Sequence, residues 1–229
     1  LASANTANAA VEGADATAAT LTPTTRIGNY TQIVQKTTQV SGTLESVDKA
    51  GRKSEKAYQL AKASAELKRD IEAIITANQG RDAGSSTTAR KMASLLSWIK
   101  TNTNKGSGTT AGADPTTIGV STRTDGTTRT FQESMLKDVV QKVFTSGGTP
   151  SLLVVSPALK QVVSGFTGLT QHRYNSNATA EITILAGADL YQSDFGVLQI
   201  VPIRFMRSLV ALVLDAEYAS VYFLRPFQT

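Results

Sequence analysis

The chain has 229 residues and a formal charge of +5, with 41% apolar and 18% charged side chains. That is enough to bury a core, and it excludes both a disordered polyelectrolyte and a membrane-spanning protein, since no run reaches about 18 apolar residues. Cysteine is absent and there is one histidine, His172, so disulfide frameworks, thiolate or multi-histidine metal sites and a cysteine nucleophile are excluded together.

Residues 1–25 are rich in Ala, Thr and Asn, carry almost no large side chain and end near Pro23. They lack the surface to fold alone, and the basic start and apolar middle of a signal peptide. Asn29–Thr43 reads as extended. Tyr30, Ile33, Val34 and Val40 are its large apolar groups, and Thr and Gln dominate both faces. Such a stretch buries little on its own body, so it is expected to be an arm completed by a partner.

A long helix is predicted over Asp48–Asn78, about 46 Å if fully formed. Leu60, Leu67 and Ile74 lie seven apart, with Ala57, Ser64 and Ile71 as a companion row. The basic excess of the chain is concentrated here, but Lys and Arg alternate with Glu and Asp, from Lys49, Arg52 and Glu55 to Lys68, Arg69, Asp70 and Glu72. That pattern fits a solvated or subunit-facing helix better than phosphate contact. Asn78-Gln79-Gly80 supplies a stop. A second helix is predicted over Thr88–Lys100, followed by a Thr- and Gly-rich loop, 101–129, of the length that is usually functional or mobile.

Thr130-Phe131-Gln132-Glu133 spells a capping box opening a helix that Gly147-Gly148 ends. Leu152–Val155 reads as a buried strand, and Ser156-Pro157 starts a short helix to about Phe166. A long projecting hairpin is predicted over 181–205 around Ser193-Asp194-Phe195-Gly196, with Pro202 implying an edge position. A second hairpin, Leu209–Leu214 with Ser220–Leu224, is apolar throughout and expected in the core.

Little here reads as catalytic. Asp194-Phe195-Gly196 spells the kinase magnesium triplet, but no phosphate loop, catalytic-loop triplet or strand lysine accompanies it. A glycine-containing turn explains it. No GxxxxGK[ST] or GxSxG occurs, His172 lies in a polar loop, and no carboxylate pair stands out. The sequons at Asn29 and Asn177 are spelling only. The unsupported arm, long helix and hairpins are edges that need covering, which points to a chain that interlocks with its own copies.

The order of these parts resembles a known family. TRIGNYTQIVQKTTQVSGT, the run from Glu45 to Ile75, TARKMASLLSWIKTNT (88–103), 124–168, and above all DKAGRKSE (48–55), SDFG (193–196) and EYASVYFLRPFQ (217–228) are similar to tailed-phage major head proteins. The resemblance covers about 24–229. It implies an α+β chain with the Hong Kong 97-type capsid fold, acting as a structural protein with no catalytic residue, cofactor or metal.

The implied parts are an N-terminal arm (1–25), an extended E-loop (26–45), a spine helix and peripheral domain (46–103), a mobile loop (104–130), an axial domain (131–180), a peripheral-domain hairpin (181–208) and axial-domain strands (209–229). Tyr30, Ile33, Val34, Lys36 and Val40 would serve the assembly arm. Asp194, Phe195 and Gly196 would make hairpin-tip contacts, and Leu60, Leu67, Ile71 and Ile74 would pack the spine. In some viral shells a lysine placed like Lys36 forms an isopeptide bond with a neighbour's Asn; an exposed lysine protecting a strand edge is the plainer reading.

The implied partners are copies of the chain in hexamers and pentamers and packaged double-stranded DNA, with portal, scaffolding or decoration proteins as further candidates and no membrane. The implied place is the virion, assembled in the host bacterial cytoplasm. An encapsulin-like nanocompartment shell shares the fold and is the alternative. A nucleic-acid-binding module and a hydrolase rank lower.

Overall fold

A computed structural model describes residues 6–16, 18, 20, 23–48, 50–106, 112–166 and 189–228. His172, the Asn177 sequon, the 181–188 part of the predicted hairpin arm and the 107–111 part of the Thr/Gly-rich loop lie outside the described residues.

Residues 26–41 form no helix, strand or turn, and the extended reading of 26–45 fails after them. Gly42–Ser46 forms a short helix, α1, because the Ser41 hydroxyl accepts the Leu44 N–H at 3.2 Å and caps it. The long helix, α2, is Glu55–Thr76, 22 residues and about 33 Å, not 48–78. Gly51 takes the left-handed conformation at φ 92° and breaks the run, and Ser54 restarts it by accepting the Ala57 N–H at 3.1 Å. At the far end Ala77 is already extended.

The second predicted helix shrinks to one turn, α3, Leu95–Trp98. Asp82 and Lys91 exchange both backbone hydrogen bonds at 3.0 Å, which holds the chain before Ser94 extended. Ser94 is fully buried and bonds Gln79 through its N–H and its hydroxyl. The described parts of the Thr/Gly-rich loop are pinned rather than loose. Ala113 and Thr124 form a bridge, Asp114 pairs with Lys105 and Arg123, and the Arg123 Nη2 donates to the Ile99 carbonyl at 2.6 Å.

The body is a four-stranded sheet in the order β2-β3-β1-β4: β1 Leu152–Val155, β2 Leu190–Ser193, β3 Gly196–Pro202 and β4 Leu212–Leu214. β1 and β3 are parallel; the outer pairs are antiparallel. Helices α4, Glu133–Thr145, and α5, Pro157–Ser164, supply Leu136, Val140 and Val163 to one face, against Leu153, Val155, Leu198 and Ile200. Leu96 and Met206 cover Val154 and Leu212 on the other face. With both faces covered, β1 can be apolar at every position.

Ser156-Pro157 starts α5 as predicted. Gly147, at φ 87°, ends α4 with its N–H on Phe144 and that of Gly148 on Val143, a Schellman closure. The capping box does not form. The helix starts with Gln132 as N-cap, without a side-chain bond, which puts Glu133 at the first helical position and not the third, and the Glu133 carboxylate is engaged by Lys137 and by the Tyr191 hydroxyl.

The hairpin, as far as it is described, is joined to the sheet. β3 is an interior strand bonded to β1, with Asp194-Phe195 as its two-residue tip. Pro202 ends β3, which lies between β2 and β1 and not at the edge of the sheet. It stands opposite Val155 with its ring nitrogen turned away from β1, whose Ser151 and Val155 carbonyls accept from Gln199 and Ile203 at 2.9 Å, so the absent N–H costs that ladder no bond.

The second hairpin is also corrected. β4 has no returning partner: Asp215 caps a 3₁₀ turn, Ala216–Tyr218, and Val221, Tyr222, Phe223 and Leu224 are exposed instead of lying in the core.

Candidate assembly surface

The segment before α1 lies as a strap across α2 and the 79–93 stretch, and polar groups hold it there. The Asn29 Oδ1 accepts the Ala93 N–H at 2.9 Å, and the Gln32 Oε1 accepts from the Gln79 Nε2 at 2.9 Å and the Met92 N–H at 3.1 Å. The Arg81 guanidinium donates to the Gly28 carbonyl and stands 5.9 Å from the centre of the Tyr30 ring. Further along, the Lys36 ammonium reaches Glu66 on α2 at 2.7 Å, with Asp70 at 3.8 Å. The Glu66 hydrogen bond raises the Lys36 pKa against a small burial penalty, and the same bond holds the Glu66 carboxyl below its ordinary value.

This arrangement joins Lys36 to the spine but leaves the strap's apolar side chains open. Ile33 is 85% exposed and Tyr30 44%, while Val34 and Val40 are half-buried. Among the described contacts the strap lies against its own chain, so the expectation of an arm without intramolecular support is corrected. The support is polar, and it comes from Asn29, Gln32, Arg81 and Glu66, which the sequence reading passed over. The helical spacing that puts Glu66 and Asp70 on one face was the available signal.

α2 touches α1 and α3. On its stripe Leu67, Ile71 and Ile74 are half-buried, whereas Leu60 is 37% exposed. The apolar periodicity is real, but this chain covers it only in part.

At the hairpin tip the Ser193 hydroxyl donates to the Gly196 carbonyl at 2.7 Å, and Gly196 has φ 141°. Phe195 lies against Phe144 at the end of α4, their ring centres 4.9 Å apart, and both rings remain substantially exposed. The tip thus gathers Phe195 with α4, far in sequence from the strap residues. Among the described residues no group of three or more His, Asp or Glu side chains gathers as a metal site, and no helix is long and apolar enough to cross a membrane.

The surface therefore offers apolar side chains in open places: Ile33 and Tyr30 on the strap, Leu60 on α2, Phe195 at the tip and the run after Ala219. Comparison with known families gives this surface its context. The whole chain, residues 1–229, matches the family described as SU10 major capsid protein. The chain belongs to that family. It is similar to the major capsid protein of Escherichia phage Phieco32, with 29% identity over 205 residues, covering 75% of this chain and 57% of the relative. The chain thus spans a little over half the length of that relative. The resemblance to tailed-phage major head proteins is borne out: this is a phage major capsid protein, mixed α and β, of a structural family whose place is the virion.

Proposed function

We propose that this capsid chain self-assembles into hexamers and pentamers that close as the icosahedral head of a tailed phage, around double-stranded DNA held without sequence preference, and that its fold is of the Hong Kong 97 type. On this reading 26–45 is the E-loop, α2 the spine, 131–180 with 209–229 the axial domain and 181–208 the peripheral-domain hairpin. Assembly takes place in the host bacterial cytoplasm, with portal, scaffolding or decoration proteins as further partners.

The observation that carries the reading is the strap. The segment is fixed to the spine helix by Lys36–Glu66 and to the stretch after it by Gln32–Gln79, while presenting Ile33 and Tyr30 outward. A segment held by its polar side and bare on its apolar side suits a contact made with the next copy. Each such contact is modest, and closed symmetry multiplies it. The scrambled charge of α2 argues against a dedicated nucleic-acid module, and no nucleophile–base pair supports a hydrolase.

Electron micrographs of the purified protein test the proposal. Closed shells or capsomer rings are the expected outcome. A chain that stays at 24.2 kDa at high concentration and under all assembly conditions tried would overturn it. Nuclease-protected DNA inside purified particles, rather than protein cargo, separates a phage head from a nanocompartment.

A further inference from the structure

The stretch after the 3₁₀ turn leaves its apolar side chains open. Tyr222 is 89% and Leu224 78% exposed, with Val221, Phe223 and Phe227 also open. Among the described residues, 219–228 take part in no hydrogen bond, and the Phe223 and Phe227 rings lie 5.9 Å apart, both open to solvent. Val221-Tyr222-Phe223-Leu224 is apolar at four successive positions. A strand with one wet face alternates; an unbroken run is the pattern of a strand covered on both faces.

The fold contains a slot of that kind. β4 is paired with β1 on one side and ends the sheet on the other. Along this end runs a groove of about 580 Å³, walled by Leu136 of α4 and Leu159 of α5 and by Leu95 and Ile99 of the α3 segment, and lined as well by 101–106 and 123–129. The first two residues belong to the cluster on one face of the sheet and Leu95 and Ile99 to that on the other, so a strand laid beside β4 would be covered above and below.

The chain's own segment does not enter. Tyr218 and Ala219 line the groove, and no described residue beyond Ala219 does. Asp215 sets the exit: its carboxylate accepts from the Glu217 N–H at 3.1 Å and from the Thr149 N–H and hydroxyl at 3.2 Å, and Ala219 then leaves in extended backbone. An open strand edge and an unpaired apolar strand on one molecule, held apart by a capped turn, are satisfied together when two molecules meet. We infer that residues 220–227 of one copy add as a strand to the β4 edge of a second copy and fill the groove between its α4 and its α3 segment. The inference rests on the self-assembly proposed above and names one of its contacts.

The chain has no cysteine, so introduced thiols are unique. Leu209→Cys places one on the groove lining and Phe223→Cys one on the apolar segment. Both residues are exposed, so neither change removes a core contact. Mixed and oxidised, the two variants, distinguished by a mass tag, should give disulfide-linked pairs with one chain of each kind, more than either variant gives alone. The double variant L209C/F223C should likewise link between chains.

Closure of the double variant on itself with no two-chain product overturns the inference, as does the absence of any mixed pair. Particles in micrographs of the same samples without mixed pairs sink this contact and leave the assembly reading standing. Mixed pairs without particles do the reverse. Phe223→Asp should raise the concentration needed for association by about tenfold or more without lowering the melting temperature, as loss of an anchoring aromatic does at an interface. Association at the unchanged concentration would count against the contact.

Discussion

The Glu45 carboxylate sits on the N-terminus of α2, where it accepts the Ser54 hydroxyl at 2.6 Å and the backbone N–H groups of Glu55 and Lys56 at 3.0 and 3.2 Å. Two of the donors that a helix start leaves unpaired are met by a residue of the preceding helix, and the negative charge lies at the positive end of the helix dipole. Glu45→Ala is expected to lower stability by about 1 kcal/mol. Thermal melting checks this. An unchanged midpoint would mean that Ser54 alone holds the start of α2.

Gly80 and Gly147 should respond to alanine for different reasons. A Cβ at Gly80 would overlap the Val120 carbonyl, whose carbon would lie 2.9 Å away, and the obstacle is backbone. Gly80→Ala is expected to cost about 1–3 kcal/mol or more through forced displacement. At Gly147 there is open space but a left-handed φ of 87°, so Gly147→Ala should cost about 1–2 kcal/mol from torsion alone. Denaturant unfolding of the two variants separates the effects; a neutral Gly80→Ala would refute the close approach.

Acid should weaken the subunit in a defined window. A hydrogen bond from Lys137 holds Glu133 below its ordinary value, with Tyr191 adding to it, and Lys142 and then Asn104 do the same for Asp138. At Asp114 burial pushes upward, but Lys105, Arg123 and Thr103 outweigh it. Carboxyls whose folded pKa lies below the unfolded value stabilise the fold above that value and lose the contribution as pH falls through the folded one. Stability should therefore be flat down to about pH 4.5 and decline below it. Glu133→Gln should shallow the decline, and an identical pH profile would show that Glu133 takes no part. Tyr191 shifts the other way. Burial, then the bond to Glu133, raises its phenol, so its contribution is present below about pH 10 and is lost as pH rises further.

Removing the strap and puncturing the core should have separate consequences. Deleting 29–42 is expected to leave the sheet folded, since no core cluster draws on the strap, yet to abolish stable shells. Intact particles from the deletion would refute its role. Leu153→Ala, at a fully buried position, should cost about 2–5 kcal/mol. Leu67→Asp and Ile71→Asp, at half-buried positions on the spine, should cost about 1–3 kcal/mol. Calorimetry on the unassembled subunit reads these differences.

The sheet body was largely legible. Leu152–Val155 had no polar residue to place on a wet face, Ser156-Pro157 marks a helix start, and Ser193–Gly196 marks a turn. Position within the sheet was not legible, because the β1–β3 pairing is long-range and neither strand states its neighbour. The second helix failed where a long-range bond overruled local preference: Ser94 is tied to Gln79. The strap's irregular form could be read from its poor alternation, but its docking could not, since Gln32 and Asn29 look like ordinary polar residues until Met92 and Ala93 are brought to them. Val221–Leu224 was misread for a different reason. Apolar content shows that a segment needs covering, and says nothing about which molecule covers it.

The parallel alignment of β1 with β3 sets the pace at which a newly made subunit matures. Leu152–Val155 must find Gln199–Pro202 across α5 and the whole intervening stretch before the centre of the sheet exists, and β4 arrives still later in the chain. Closing such distant pairings exacts its entropy before any reward, which places refolding in a regime of roughly milliseconds to seconds instead of the microseconds open to a helical bundle. Throughout that interval the strands present bare, sticky margins to a crowded cell, so yield should depend on chaperones and on slow synthesis at low temperature.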